Sequence, residues 1–274
     1  MKSNFKTFIF LVVLTVLFIL VGQLIGGTQG AIIAFFIALA MNLFTYWFSD
    51  RIVLRRYSAR EVARTDNSRL YNIVENLALK ADLPMPKVYI IPDRTPNAFA
   101  TGRNPSHAAV AATEGILQIL NDEELAGVMA HELTHVKNRD TLTSTVAATI
   151  VGAITMLGQM GRYSASSRNR NPLILIAILL VPFAALLIRM AISRVREYAA
   201  DEGGALISGK PLGLANALAK LSRGVVSNPI RTGNPADSHL FIVNPFMGGL
   251  QNLLSTHPPM EERVKRLKDM KVGY

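Results

Sequence analysis

Two of the chain's five histidines stand four residues apart around a glutamate, in the run His131-Glu132-Leu133-Thr134-His135. On a helix, positions i and i+4 share a face, so both imidazoles can reach one ion. Glu132 falls about 100° further round, near enough to reach a water at that ion without ligating it. The chemistry this spacing suits is hydrolysis, in which a metal acidifies a water and a carboxylate accepts its proton. The competing reading is a chance match on an ordinary amphipathic helix.

A catalytic zinc takes a third protein ligand and keeps one position open. The chain has no cysteine, so that ligand must be His, Asp or Glu, and no nearby histidine supplies it. The run Ser193-Arg194-Val195-Arg196-Glu197-Tyr198-Ala199-Ala200-Asp201 again sets two acids, Glu197 and Asp201, at i and i+4. Glu197 is the candidate ligand. Asp201 is the candidate acceptor for the N–H of a ligating imidazole. Spacing alone leaves open a solvated charged turn beside Arg194 and Arg196.

The elements that must position these residues are legible nearby. Asn121 is suited to cap a helix, with Glu124 at the capping-box position and Leu120 and Leu125 as the hydrophobic staple. Asp122, Glu123 and Glu124 complement the positive end of that helix, which runs into the histidine motif. Upstream, the apolar spacing of Leu70, Ile73, Val74 and Leu77 predicts a helix over 68–80. Pro84 and Pro86 end that region. Short strands are predicted over 88–91, 98–101 and 108–113, the last two joined by a turn with Gly102, Asn104 and Pro105.

Half of the chain is hydrophobic, more than a soluble globular surface allows. The excess lies in long runs. Residues 7–25 and 31–48 are each near the length that crosses about 30 Å of hydrocarbon. An uncharged link, 26–30, joins them, and Tyr46 and Trp47 close the second as an interfacial anchor. A weaker run, 142–160, is rich in Thr, Ser and Gly, as suits helix–helix packing in a bilayer. Residues 172–192 are strongly apolar.

The net charge of +10 reads as basic flanks against anionic headgroups, and no nucleic-acid motif is present. Lys2 and Lys6 precede the first run; Arg51, Arg55, Arg56 and Arg60 follow the second. The positive-inside rule puts both flanks in the cytoplasm. Arg162, Arg168 and Arg170, between the third and fourth runs, pull the other way. The preferred topology has four spans; the alternative has two, with 142–192 buried but not crossing.

With these motifs in order, the sequence resembles the HtpX family of bacterial membrane-bound zinc metallopeptidases. It is more distantly similar to the eukaryotic CAAX prenyl endopeptidases of the same clan. The likeness covers nearly the whole chain: the paired N-terminal spans, Asn97-Ala98-Phe99-Ala100-Thr101-Gly102, the histidine motif, the 197–201 segment, and His257-Pro258-Pro259 with Glu262-Arg263. It implies one Zn2+ per chain held by His131, His135 and Glu197, with Glu132 as base. It implies a substrate-facing edge strand in Asn97, Ala98, Phe99, Ala100 and Thr101, although Asn97 alone reads as a turn residue. It implies that His257 stabilises an oxyanion, where spacing alone makes it a helix-entry residue. It also implies an Arg263–Asp201 pair, where Arg263 alone reads as exposed. His107 and His239 read as surface residues.

The expected architecture is α+β and mainly helical: an integral membrane protein with two helical hairpins and a cytosolic zincin-type catalytic domain. Residues 1–50 form the first hairpin and 142–192 the second. Residues 51–141 and 193–274 form the catalytic parts. The resemblance implies a multi-pass protein of the cell (inner or plasma) membrane, acting on misfolded or damaged membrane proteins in stress-related quality control. Its partners are those substrates and the lipid bilayer, not nucleic acid, and no residue pattern sets an oligomeric state. Two other classes compete. A scaffold with structural zinc has no use for Glu132. A metal transporter needs ionisable residues within spans that carry almost none, Arg189 near a span end excepted.

Overall fold

The computed structural model describes residues 2–66, 68–142, 194–227, 242 and 258–270. The runs 142–160 and 172–192 lie almost wholly outside these residues, and so do His239 and His257.

Helix α1 spans Lys2–Arg56 and breaks at Gly26 and Gly27. Gly27 sits at φ +58°, a conformation open to glycine without penalty. The two arms lie side by side, because Asn42 Nδ2 donates to Thr15 Oγ1 at 2.9 Å. The break is shorter than the link expected from the sequence, and the helix resumes through Gly30. The second arm, Gly26–Phe48, is long and apolar enough to cross a membrane. It exposes Ile32, Phe36, Leu43 and Trp47 among other large apolar side chains.

The helix does not stop where the apolar run stops. Nothing between Phe48 and Tyr57 breaks it, so it continues to Arg56. There Ser58 turns left-handed (φ 51°), and Ala59 N–H bonds back to Leu54 O while Ser58 N–H bonds to Arg55 O. This is a Schellman ending without its usual glycine.

A four-stranded sheet follows: β1 (Arg60–Val62), β2 (Lys87–Ile91), β3 (Ala98–Gly102) and β4 (Ala108–Thr113). Its order is β1-β2-β4-β3; only the β2–β4 pair is parallel. The three expected strands form within a residue of their predicted limits. The short β1 carried no period-2 signal in the sequence and forms by pairing with β2.

Alternate residues face opposite layers. Ala98, Ala100, Ala108, Val110 and Ala112 join the core under α2 (Arg69–Lys80) and α4 (Asp122–Lys137). Phe99, Ala109 and Ala111 pack instead on Val53 and Leu54, the end of α1. Small side chains along β4 let both layers approach. Arg103, in the β3–β4 turn, stacks 4.6 Å over the Trp47 ring.

Short helix α3 (Glu114–Ile119) leads into α4, whose capping box forms as expected: Glu124 N–H donates to Asn121 Oδ1, and Asn121 N–H to Glu124 Oε2. Lys220 also reaches the buried Glu124 at 2.7 Å. Helix α4 packs along α5 (Arg194–Ser208) and α6 (Pro211–Ser227). Helix α7 (Met260–Asp269) closes over α5 and α6.

The α4–α5 crossing is tight because of Gly204. A β-carbon there would lie 2.8 Å from His131 N and 2.9 Å from His131 Cα, closer than side chains tolerate. Gly204→Ala should push α5 away at a cost of about 1–3 kcal/mol. At about 2–4 °C per kcal/mol, the melting temperature should fall by several degrees. A melting curve matching wild type would mean that this contact does not set the helix spacing.

Candidate active site

The face of α5 turned to α4 carries Glu197, Asp201, Gly204 and Ser208, all buried and at spacings of four, three and four. Opposite them His131 and His135 project from α4. The two Nε2 atoms are 3.3 Å apart. Glu197 lies 3.8 Å from His131 Nε2 through Oε2 and 3.6 Å from His135 Nε2 through Oε1. One donor atom from each residue falls within 4.8 Å of the others.

The outer nitrogens decide what the inner ones carry. His131 Nδ1 is 3.0 Å from Asp201 Oδ1, and His135 Nδ1 is 3.5 Å from Asp140 Oδ2. A carboxylate beside Nδ1 selects the tautomer with the proton there. The His131 contact has the right distance but an off-axis angle, so its N–H does not make a full hydrogen bond. Both Nε2 atoms then present lone pairs to each other and to a carboxylate. Three such acceptors repel unless a cation lies among them.

The residues fit a metal. Tetrahedral zinc, with bonds of about 2.0–2.2 Å, sets ligand atoms about 3.3–3.6 Å apart. The observed 3.3, 3.6 and 3.8 Å nearly match. Charge agrees. Among these described groups the acids Glu132, Asp140, Glu197 and Asp201 outnumber the bases Arg196 and Arg263, the balance that suits a bound cation.

Behind Asp201 stands Arg263 of α7, fully buried. It donates twice to Asp201, from Nε at 2.8 Å and Nη2 at 2.7 Å. Its Nη1 is 3.7 Å from Glu197 Oε2, without a hydrogen bond. Burial would raise the Asp201 pKa, but the Arg263 hydrogen bonds and charge outweigh it and hold the carboxyl below its ordinary value. Burial pushes Glu132 up, against the pull of both imidazoles. Burial would lower His135, yet the hydrogen bond to Asp140 and the nearby carboxylates raise it. The site favours added positive charge.

Glu132 reaches the sheet, where Ala100 N–H donates to its Oε2 at 2.9 Å. The register explains why that N–H is available. Thr113 N–H bonds to Asn97 O, so odd-numbered residues 97, 99 and 101 turn their backbone groups toward β4. Ala98, Ala100 and Gly102 turn theirs outward along the sheet edge. Gly102 O is taken by Thr141 Oγ1 at 2.9 Å. Thr101 is fully buried on the strand.

Asn97 is buried at the strand entrance, where its Oδ1 accepts from Ile242 N–H at 3.2 Å. That side chain also anchors the chain near Ile242, a link invisible in local sequence. His257 lies outside the described residues. Exposed His107 bonds locally to Asn104. Asp140, Arg196 and Gly204 escaped the sequence reading as site-builders.

A buried H-E-x-x-H helix, a carboxylate from a second helix and an edge strand beside the glutamate define a metallopeptidase. The chain belongs to peptidase family M48, which it matches over residues 64–271. It is 53% identical over 271 residues to a protein of Salinibacter ruber described as "Protease HtpX homolog", covering 98% of both chains. A protein of the same description from Syntrophotalea carbinolica is 51% identical over 280 residues, covering 98% of this chain and 99% of that one. The resemblance read from the motifs is therefore to the right family. Among solved structures, Ste24p of S. mikatae superimposes with a TM-score of 0.50 at 18% identity, over 86% of this chain and 57% of that one. The fold is shared with that longer chain.

Substitution tells the expected base from the expected ligand. Glu132→Gln should keep bound metal and lose proteolysis, whereas Glu197→Ala should lose both. Metal content by mass spectrometry, paired with peptide hydrolysis, checks this; a metal-free Glu132→Gln protein would make Glu132 a ligand. Arg263→Ala strands Asp201 as an unpaired buried charge and should cost about 3–5 kcal/mol, with Lys unable to restore the two-pronged contact. Denaturant unfolding measures it. Wild-type stability in Arg263→Ala would mean that Asp201 finds another partner.

Proposed function

We propose that the chain is a zinc-dependent endopeptidase of the membrane that hydrolyses misfolded or damaged membrane proteins in stress-related quality control. The observation that carries this is the Ala100–Glu132 hydrogen bond, which ties the carboxylate of the H-E-x-x-H motif to the edge strand of the sheet, while the motif's two histidines cluster with Glu197. The relatives described as HtpX-type proteases support it.

His131, His135 and Glu197 would hold one Zn2+, which supplies carbonyl polarisation and acidifies water. An extended substrate adds to β3 through the outward backbone groups of Ala98 and Ala100, with Asn97 at the entrance and Phe99 and Thr101 fixing the strand from behind. Glu132 exchanges its Ala100 contact for a water, takes the water's proton, and returns it to the leaving amine. Asp201 and Arg263 hold His131. His257, by the family resemblance, donates to the developing oxyanion.

The membrane reading places residues 1–50 and 142–192 as hairpins, with 51–141 and 193–274 joining as a cytoplasmic catalytic domain. It draws on the exposed apolar arm Gly26–Phe48 and its basic flank. It also draws on connectivity. Asp140 Oδ1 and Arg196 Nη1, on either side of the run 142–192, are 3.6 Å apart, as a hairpin over that run requires.

The test uses purified full-length protein in liposomes, offered casein and an unfolded membrane protein. Both should be cut with zinc. Neither should be cut after chelation or by Glu132→Gln. Cleavage that survives in Glu132→Gln would refute the mechanism. Cleavage of casein alone would refute the proposed substrate class.

A further inference from the structure

Asp140 follows α4 and belongs to neither the histidine motif nor the acids of α5. It is buried, with its carboxylate between two groups. Oδ2 is 3.5 Å from His135 Nδ1, and Oδ1 is 3.6 Å from Arg196 Nη1. Arg196 directly precedes Glu197. One side chain thus touches a residue of each helix that contributes to the cluster.

The backbone at this corner holds the carboxylate there. Helix α4 ends with Arg139 in the left-handed region, φ 59°. Arg139 N–H bonds to Val136 O at 3.1 Å, and Asp140 N–H bonds to His135 O at 2.9 Å. This is the Schellman pattern, built on an arginine where glycine is usual. The left-handed turn is strained for a non-glycine residue, so the surroundings impose it. Its result is that Asp140 is fastened to the carbonyl of the same histidine whose ring it faces.

The pattern repeats what Asp201 does. Each imidazole has its own carboxylate at Nδ1, and each carboxylate has its own arginine: Asp201 with Arg263, Asp140 with Arg196. We propose that Asp140 is a positioning residue that orients His135 and, through Arg196, ties the end of α4 to the first turn of α5 beside Glu197. The inference rests on the zinc site proposed above. It adds an outer partner for the second histidine and a link between ligand-bearing helices outside the H-E-x-x-H and 197–201 motifs.

Outer partners of ligating histidines are worth about 10–100-fold in metal affinity. Full-length Asp140→Ala should bind zinc 10–100-fold more weakly in competition with a chromophoric chelator. Asp140→Asn can still accept from His135 but has no charge for Arg196, and should fall between. Arg196→Gln should show the smaller loss of a distant partner. With Co2+ as the probe, Asp140→Ala should also alter the visible absorption bands, which a purely structural role leaves unchanged. Glu197→Ala, losing zinc outright, calibrates the assay. Zinc affinity within twofold of wild type and an unchanged cobalt spectrum, in folded Asp140→Ala or Asp140→Asn, would overturn the proposal. A wild-type protein that binds no zinc would instead overturn the site reading on which it rests.

Discussion

Everything in the site depends on two helix backbones touching. His131 and Gly204 meet at the α4–α5 crossing with no room for a β-carbon. From that contact, one turn back along α5 brings Asp201 beside His131, and two turns back bring Glu197 between the two imidazoles. Side chains of four or five bonds have little slack, so the interhelical distance determines whether three ligand atoms can converge. Gly204 thus sets how closely Glu197 approaches the two imidazoles.

The crossing would be costly without charge management. Glu132, Glu197 and Asp201 are all buried, and unpaired buried carboxylates are expensive. The protein answers with a fully buried arginine from α7, which makes a two-pronged contact to Asp201 and approaches Glu197. One charge on the last described helix therefore ties the C-terminal part of the chain to the site. The negative charge that remains suits the His131–His135–Glu197 cluster to a cation.

The sheet does two jobs. Its inner face, through Val110 and neighbouring alanines, is the floor on which α4 lies. Its outer face packs on the end of α1, and Arg103 over Trp47 ties the β3–β4 turn to the close of the apolar arm. Strand β3 itself packs on the end of α1 through Phe99 and bonds Glu132 through Ala100 N–H, so one rigid element links the two.

Much of this was legible from local chemistry. The capping box at Asn121 and Glu124, the i and i+4 histidines, the second acidic pair and the strand limits all follow from short-range rules that act within a turn or a few residues. The Arg263–Asp201 contact came from the family resemblance; locally, Arg263 looked like an exposed helix residue. Other features had no local signal. Strand β1 exists because β2 has an edge to pair. Helix α1 runs past its apolar stretch because its end has a sheet to pack on. Three helices end left-handed at Ser58, Asp82 and Arg139, where glycine would have announced the turn. Asp140 reads as an ordinary loop acid until α5 brings Arg196 to it. Which side chains could do chemistry was written in residue type and spacing. Which partners hold them was decided by packing between segments far apart in the chain, because burial, and with it the need for a countercharge, exists only once the helices have met.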